Sequence, residues 1–177
     1  MSRRSRGFPP IAAPDARVLI LGSLPGQVSL ARQQYYAQPQ NAFWRIMDAL
    51  FEAGPGVPYD ERTRRLVAHR IAVWDVCRAA TRLGSLDASI EPESIVVNDF
   101  RAFFRAHPAL ELVCTNGGTA TRLFRQRVLP RLPAASAVMR LEPLPSTSPA
   151  HAAMRFDQKL ARWRAVLEPV AGRLSGS

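Results

Sequence analysis

Four short apolar runs, each rich in strand-forming residues and each stopped by a turn or polar residue, limit what this chain can fold into. Residues 17–21 read Arg-Val-Leu-Ile-Leu and stop at Gly22; similar runs occupy residues 71–74, 110–115 and 138–141. A run without polar alternation is buried on both faces, as a parallel strand is, and the intervals between these runs are long enough for helical crossovers. Amphipathic stripes fill those intervals. Phe43, Ile46, Met47, Leu50 and Phe51 recur at helical spacing before Gly54-Pro55, and Phe156, Leu160, Trp163 and Leu167 repeat the stripe near the end, with Arg155, Lys159, Arg162 and Arg164 on other faces. Shorter helices are expected over residues 60–69, 98–106 and 119–128. The expected class is α/β: a three-layer α/β/α sandwich around a central four-stranded parallel sheet.

A chain of 177 residues, 47% of them hydrophobic, is the size of one domain with one core. Residues 1–16 read as a basic, Pro-rich arm, 17–170 as the domain, and 171–177 as a frayed tail. No apolar run is long enough for a membrane span, so an unsecreted protein without a membrane partner is expected. The two cysteines, Cys77 and Cys114, lie inside apolar runs. They supply neither a disulfide framework nor a four-cysteine metal or iron–sulfur site, and read as buried thiols in a reducing compartment. The net charge is +10, with Lys159 the only lysine, so nearly all of the positive charge is arginine. Guanidinium forks suit phosphate oxygens and point to a nucleic-acid partner, although arginine-rich composition also follows from a GC-rich genome.

In an open parallel sheet the ligand crevice lies beyond the carboxyl ends of the strands. The four runs lead into Gly22-Ser23-Leu24-Pro25-Gly26, Asp75, Asn116-Gly117-Gly118 and Pro145-Ser146-Thr147-Ser148-Pro149. Each alone is an ordinary turn; their joint occurrence at one rim marks a site.

The first loop, followed by Ser29-Leu30 and Tyr35-Tyr36-Ala37-Gln38-Pro39-Gln40-Asn41-Ala42-Phe43-Trp44, resembles the first motif of the hypoxanthine-DNA glycosylase family, within the uracil-DNA glycosylase superfamily. Leu144-Pro145-Ser146-Thr147-Ser148-Pro149-Ala150 resembles its second motif. Gly7-Phe8-Pro9-Pro10, Trp74-Asp75-Val76-Cys77, Gly84-Ser85-Leu86-Asp87 and Thr115-Asn116-Gly117-Gly118-Thr119-Ala120 follow the family in order and spacing, so the likeness spans most of residues 7–165. It implies the superfamily's fold and a monofunctional glycosylase of base excision repair. Such an enzyme removes hypoxanthine, or uracil, from DNA containing deaminated bases, as a monomer and with no metal or cofactor. The expected location is the cytoplasm, at the nucleoid.

The resemblance puts the catalytic asparagine at Asn41, whose amide suits a water held beside the anomeric carbon; Asn41 also reads as a helix N-cap. The base-binding candidates are Tyr36, Ser23, Asp75 and Asn116. Tyr36 offers a stacking face but also suits plain core packing. Asp75 stands where relatives often carry an amide that reads the base edge; an ionised carboxylate accepts from N1–H but cannot donate, and a turn or cap is the alternative. Asn116 followed by glycine is first of all a tight turn.

Gly26, Ser29, Gly117, Ser146, Thr147, Ser148 and His151 are the candidates for gripping the DNA backbone; serine clusters are otherwise solvated loops, and His151 otherwise a cap or surface residue. The uracil branch carries a histidine where this chain has Leu144, and an aspartate within the stretch that is here Ser23-Leu24-Pro25. Backbone donors, or a protonated purine leaving group, must therefore stabilise the departing base. Lyase chemistry would need an amine, and Lys159 lies outside every motif. The other class compatible with the crevice is a noncatalytic DNA-damage or nucleotide-binding module.

Overall fold

The computed structural model describes residues 3–171; of the tail read at 171–177, all but Ala171 falls outside the described residues. The central sheet is built from β2 (Val18–Gly22), β3 (Ile71–Asp75), β6 (Leu112–Asn116) and β7 (Arg140–Leu144), all parallel, in the order β3-β2-β6-β7. Alternation along β2 divides the core in two. Val18 and Ile20 face one apolar cluster with Phe43, Ile46, Met47, Leu66, Trp163 and Leu167, while Leu19 and Leu21 face another with Phe100, Phe103, Phe104, Leu123 and Phe124. Successive side chains of a strand point to opposite faces, so one apolar run serves both layers; β3, β2 and β6 are buried throughout, while the edge strand β7 is partly exposed.

The helices follow from those clusters. On the first face lie α2 (Phe43–Phe51), α3 (Tyr59–Ala68) and α6 (Phe156–Ala171); on the second lie α4 (Phe100–Ala106), capped by the Asp99 carboxylate on the Ala102 N–H, and α5 (Gly118–Leu123). The helix expected over 119–128 is α5 followed by a wider π turn at Phe124–Val128. A one-and-a-half-turn helix, α1 (Gln27–Arg32), follows the first loop without having been expected. The last strand falls at 140–144 rather than 138–141, and carries Pro143, which an edge strand tolerates because one side needs no ladder.

A second, antiparallel sheet was not legible in the sequence: β1 (Arg3–Arg6), β4 (Cys77–Arg82) and β5 (Val96–Val97), in the order β1-β4-β5. The segment read as an arm thus contributes a strand, and Ile11 bridges Val73 at the β3 edge. Tyr35 donates to the Pro9 carbonyl at 2.9 Å and Trp74 to the Phe8 carbonyl at 3.1 Å, which fixes Phe8-Pro9-Pro10 against the domain. Among the described residues no helix is long and apolar enough to cross a membrane.

Candidate active site

The four parallel strands end at Gly22, Asp75, Asn116 and Leu144, and the loops that follow enclose a cavity of about 570 Å³. All twelve site candidates line it: Asn41, Tyr36, Ser23, Asp75 and Asn116, together with Gly26, Ser29, Gly117, Ser146, Thr147, Ser148 and His151. Segments more than a hundred residues apart meet there because every strand of a parallel sheet delivers its carboxyl end to the same rim.

Tyr36 and Asp75 form the floor on either side of Gly22. A side chain on Gly22 would collide with Asp75 Oδ1 and come within 2.9 Å of the Tyr36 hydroxyl, so glycine is what lets them close over the strand end. Tyr36 adopts φ +53°, in a turn braced by the Ser29 hydroxyl, which accepts from the Ala37 N–H at 3.1 Å. Its ring stacks on Phe43 with centroids 4.0 Å apart and planes at 23°, so it packs into the core and faces the cavity at once. The Tyr36 hydroxyl and Asp75 Oδ2 are buried without a hydrogen-bond partner. Buried polar atoms are rarely left so, and two that line one cavity suit a polar ligand. Burial first, and then the nearby Asp87 carboxylate, push Asp75 up to about 7, against a smaller opposing pull from Arg82. Burial and the neighbouring Asp75 likewise raise Tyr36, which stays a neutral donor.

The two motifs are tied to each other. The Ala42 N–H donates to the Thr147 carbonyl at 2.9 Å, beside Asn41, whose Oδ1 accepts from the Phe43 N–H at 2.9 Å at the start of α2. The N-cap itself is Ala42, one residue later than expected; Asn41 satisfies the first N–H of α2 from the residue before it and lines the cavity. Asn116 holds Thr147 twice, donating from Nδ2 to Oγ1 and accepting at Oδ1 from the Thr147 N–H, both at 2.9 Å. Its amide is engaged with the second motif. Ser146 accepts from the Ser148 N–H and Ser148 from the Ala150 N–H, each at 3.2 Å, so both hydroxyls keep their protons for an outside acceptor. Gly117, at φ +93°, lies under Ser146, where a Cβ would come within 2.9 Å of the serine's own. His151 is exposed at the cavity wall, in the turn before α6.

Three groups that shape the site escaped sequence reasoning. Arg82, 1% exposed, donates to the carbonyls of Leu24 (3.4 Å), Pro25 and Gly84 (3.2 Å) and to Asp87 Oδ1 (3.3 Å). Asp87 Oδ2 accepts from Ser23 at 2.5 Å, so the Ser23 hydroxyl serves this network. Lys159, 5% exposed, lies beneath the second motif and donates to the His151 carbonyl at 2.9 Å and the Ser148 carbonyl at 3.5 Å. Its remoteness in sequence from the motifs hid that contact. Arg82 closes β4, a strand the sequence did not show, and stood as one arginine among many.

A profile of the uracil DNA glycosylase superfamily matches residues 9–168. A hypoxanthine DNA glycosylase of Methanosarcina acetivorans is 41% identical over 116 residues, covering 65% of this chain and 72% of that protein. A hypoxanthine DNA glycosylase of Methanosarcina barkeri is 39% identical over 115 residues, 64% of this chain and 72% of its own length. The solution NMR structure of a candidate uracil DNA glycosylase from Methanosarcina acetivorans superposes with a TM-score of 0.79 at 31% identity, over 96% of this chain and 100% of that one.

Proposed function

The chain belongs to the uracil DNA glycosylase superfamily, and on that premise we propose that it hydrolyses the N-glycosidic bond of hypoxanthine, with uracil as a second substrate, in DNA carrying deaminated bases. The observation that carries this reading is the Ala42–Thr147 hydrogen bond, which joins the two motifs beside Asn41 across the cavity that Tyr36, Asp75 and Ser146 also line.

A nucleotide swung out of the duplex enters the cavity with its base against the Tyr36 ring and its flanking phosphates at Ser146 and Ser148. As the C1′–N9 bond breaks, its electron pair goes to the base and the sugar becomes oxocarbenium-like. Asn41 positions the water whose oxygen bonds to C1′; one of that water's protons leaves to solvent or to the departing base. A weak nucleophile suffices for so dissociative a step, and orientation supplies the rate. Asp75 faces the base edge. Neutral below about 7, it offers both an O–H donor for the base carbonyl and an acceptor for the ring N–H. That donor takes over the task of stabilising the departing base, where the buried Leu144 offers no donor of its own.

The product is an abasic site in an uncut strand. The lone lysine donates hydrogen bonds to two backbone carbonyls, which disfavours attack on the sugar. The reading includes action as a single chain at the nucleoid in the cytoplasm. The test is a panel of labelled duplexes carrying deoxyinosine, deoxyuridine or deoxyxanthosine, assayed for alkali-sensitive sites. Release from the deoxyinosine duplex is expected; tight binding without release in any duplex would instead make the protein a damage-binding module.

A further inference from the structure

We infer that Asp87 is a positioning residue for the proposed reaction: pinned at the cavity wall by Ser23 and Arg82, it holds a negative charge beside Asp75 that keeps the Asp75 carboxyl a hydrogen-bond donor to the base. This rests on the glycosylase reading above, in which Asp75 meets the base edge. Both carboxyls line one cavity, yet their surroundings are opposite. Asp87 Oδ2 accepts from the Ser23 hydroxyl at 2.5 Å and Oδ1 from the Arg82 guanidinium at 3.3 Å, and its side chain is 37% open to solvent. Asp75 is 4% exposed, and its Oδ2 is buried without a partner. Where two neighbouring carboxyls hold one proton between them, the hydrated and hydrogen-bonded member carries the charge, and the buried, unpartnered member carries the proton.

The strand ends bring the pair together. Gly22 pairs with Asp75 at the end of the parallel ladder, and the next residue, Ser23, carries the hydroxyl that holds Asp87. The loop leading to Asp87 is braced as well. Gly84 turns at φ +68°, its carbonyl accepts from Gln27 Nε2 and Arg82 Nε, both at 3.2 Å, and Ser85 Oγ accepts from the Gln27 N–H at 3.0 Å. Arg82 opposes the effect of Asp87 only in part: its remaining hydrogen bonds go to the Leu24 and Pro25 carbonyls, and none goes to Asp75. The other titratable groups acting on or beside Asp75 are Tyr35, Tyr36 and Cys77, which burial raises and so keeps neutral. Asp87 is thus the anion that acts on Asp75 among the described residues, and its charge adds to the effect of burial there. Burial raises the Asp87 carboxyl too, but Ser23 and Arg82 pull it back.

The test follows the side-chain carboxyl carbons of Asp75 and Asp87 by carbon NMR across the acid and neutral range in the DNA-free protein, beside the pH profile of single-turnover release from a deoxyinosine duplex. In wild type the Asp87 signal should titrate at lower pH than the Asp75 signal. The reverse order would overturn the assignment on the unaltered protein. Asp87→Asn removes the charge and leaves Arg82 unneutralised. The Asp75 titration and the alkaline fall of the rate should then both move down by about one pH unit, with the rate below that fall kept within several-fold. A rate lowered equally at every pH, with both midpoints unmoved, would leave Asp87 a brace of its loop and sink the proposal. So would an alkaline fall that survives in Asp75→Asn and still moves when Asp87→Asn is added. Titrations that behave as expected in a protein that frees no base would sink the glycosylase reading alone.

Discussion

Asn116 and Thr147 are joined by two hydrogen bonds of 2.9 Å, side-chain amide to hydroxyl and peptide N–H to side-chain carbonyl, across 31 residues of sequence. The clamp locks the end of β6 to the loop after β7, and through the Thr147 carbonyl to the first motif at Ala42. Asn116→Ala strands a buried N–H and hydroxyl at Thr147. We expect a loss of about 1–3 kcal/mol in unfolding free energy by urea titration, together with a fall in single-turnover release as Ser146 and Ser148 lose their seat. Stability within error of wild type would mean that the loop holds without its clamp.

Asn41 has two separable tasks. Its Oδ1 accepts from the Phe43 N–H, the first of α2, and the residue lines the cavity. Asn41→Ala removes both, so about 1 kcal/mol of stability and at least ~10²-fold in turnover should go together, with duplex affinity nearly intact. Asn41→Ser keeps a capping oxygen and discards the amide. Stability should then return while turnover stays low; a serine variant as active as wild type would leave Asn41 only its cap.

How far the sequence carried can be seen in particular elements. The strands β2, β3 and β6 were legible because they are buried throughout and so are almost wholly apolar, whereas β7, a partly exposed edge strand reading Arg-Leu-Glu-Pro-Leu, was expected two residues early. The antiparallel sheet was not legible. Arg3–Arg6 is held by its backbone ladder to β4 with three of its four side chains exposed, and Cys-Arg-Ala-Ala-Thr-Arg lacks the bulk that marks a strand. Gly22, Asp75 and Asn116 were found because each directly follows an apolar run, whereas Tyr36 and Asn41 were found through the resemblance of their motif. Arg82 was invisible for the opposite reason: its burial depends on residues 24–25 and 84–87 converging on it, a tertiary fact without a local pattern.

Lys159 supports the second motif from below. Its ammonium donates to the His151 and Ser148 carbonyls, and burial lowers its affinity for the proton. Lys159→Met retains the stem and removes the donors, leaving two loop carbonyls to find water. The loop proposed to grip the phosphates should then loosen, raising KM for a deoxyinosine duplex several-fold with a smaller change in kcat. Borohydride should trap no covalent adduct with abasic DNA in the wild type. A trapped adduct lost in Lys159→Met would show that the amine reaches the sugar.

Asp75 predicts how both stability and activity depend on pH. Its carboxyl rises from an ordinary 3.8 to about 7 because it is buried and because Asp87 faces it, while Arg82 offsets part of the effect and Tyr36 stands beside it as a neutral group. Between pH 4 and 7 the folded protein therefore holds a proton that the unfolded chain has released. Unfolding free energy should fall as pH rises across that window and level off above it, by at least about 1 kcal/mol. Asp75→Asn, which cannot ionise, should flatten the profile.

In the proposed mechanism the neutral form carries the donor, so release of hypoxanthine should decline as pH passes about 7 and the carboxylate confronts the base carbonyl. In Asp75→Asn that descending limb should vanish and the ratio of hypoxanthine to uracil release should shift. A variant that keeps the limb and changes both substrates alike would place the titrating group elsewhere, with Asp87 the first to examine, since burial raises its carboxyl too.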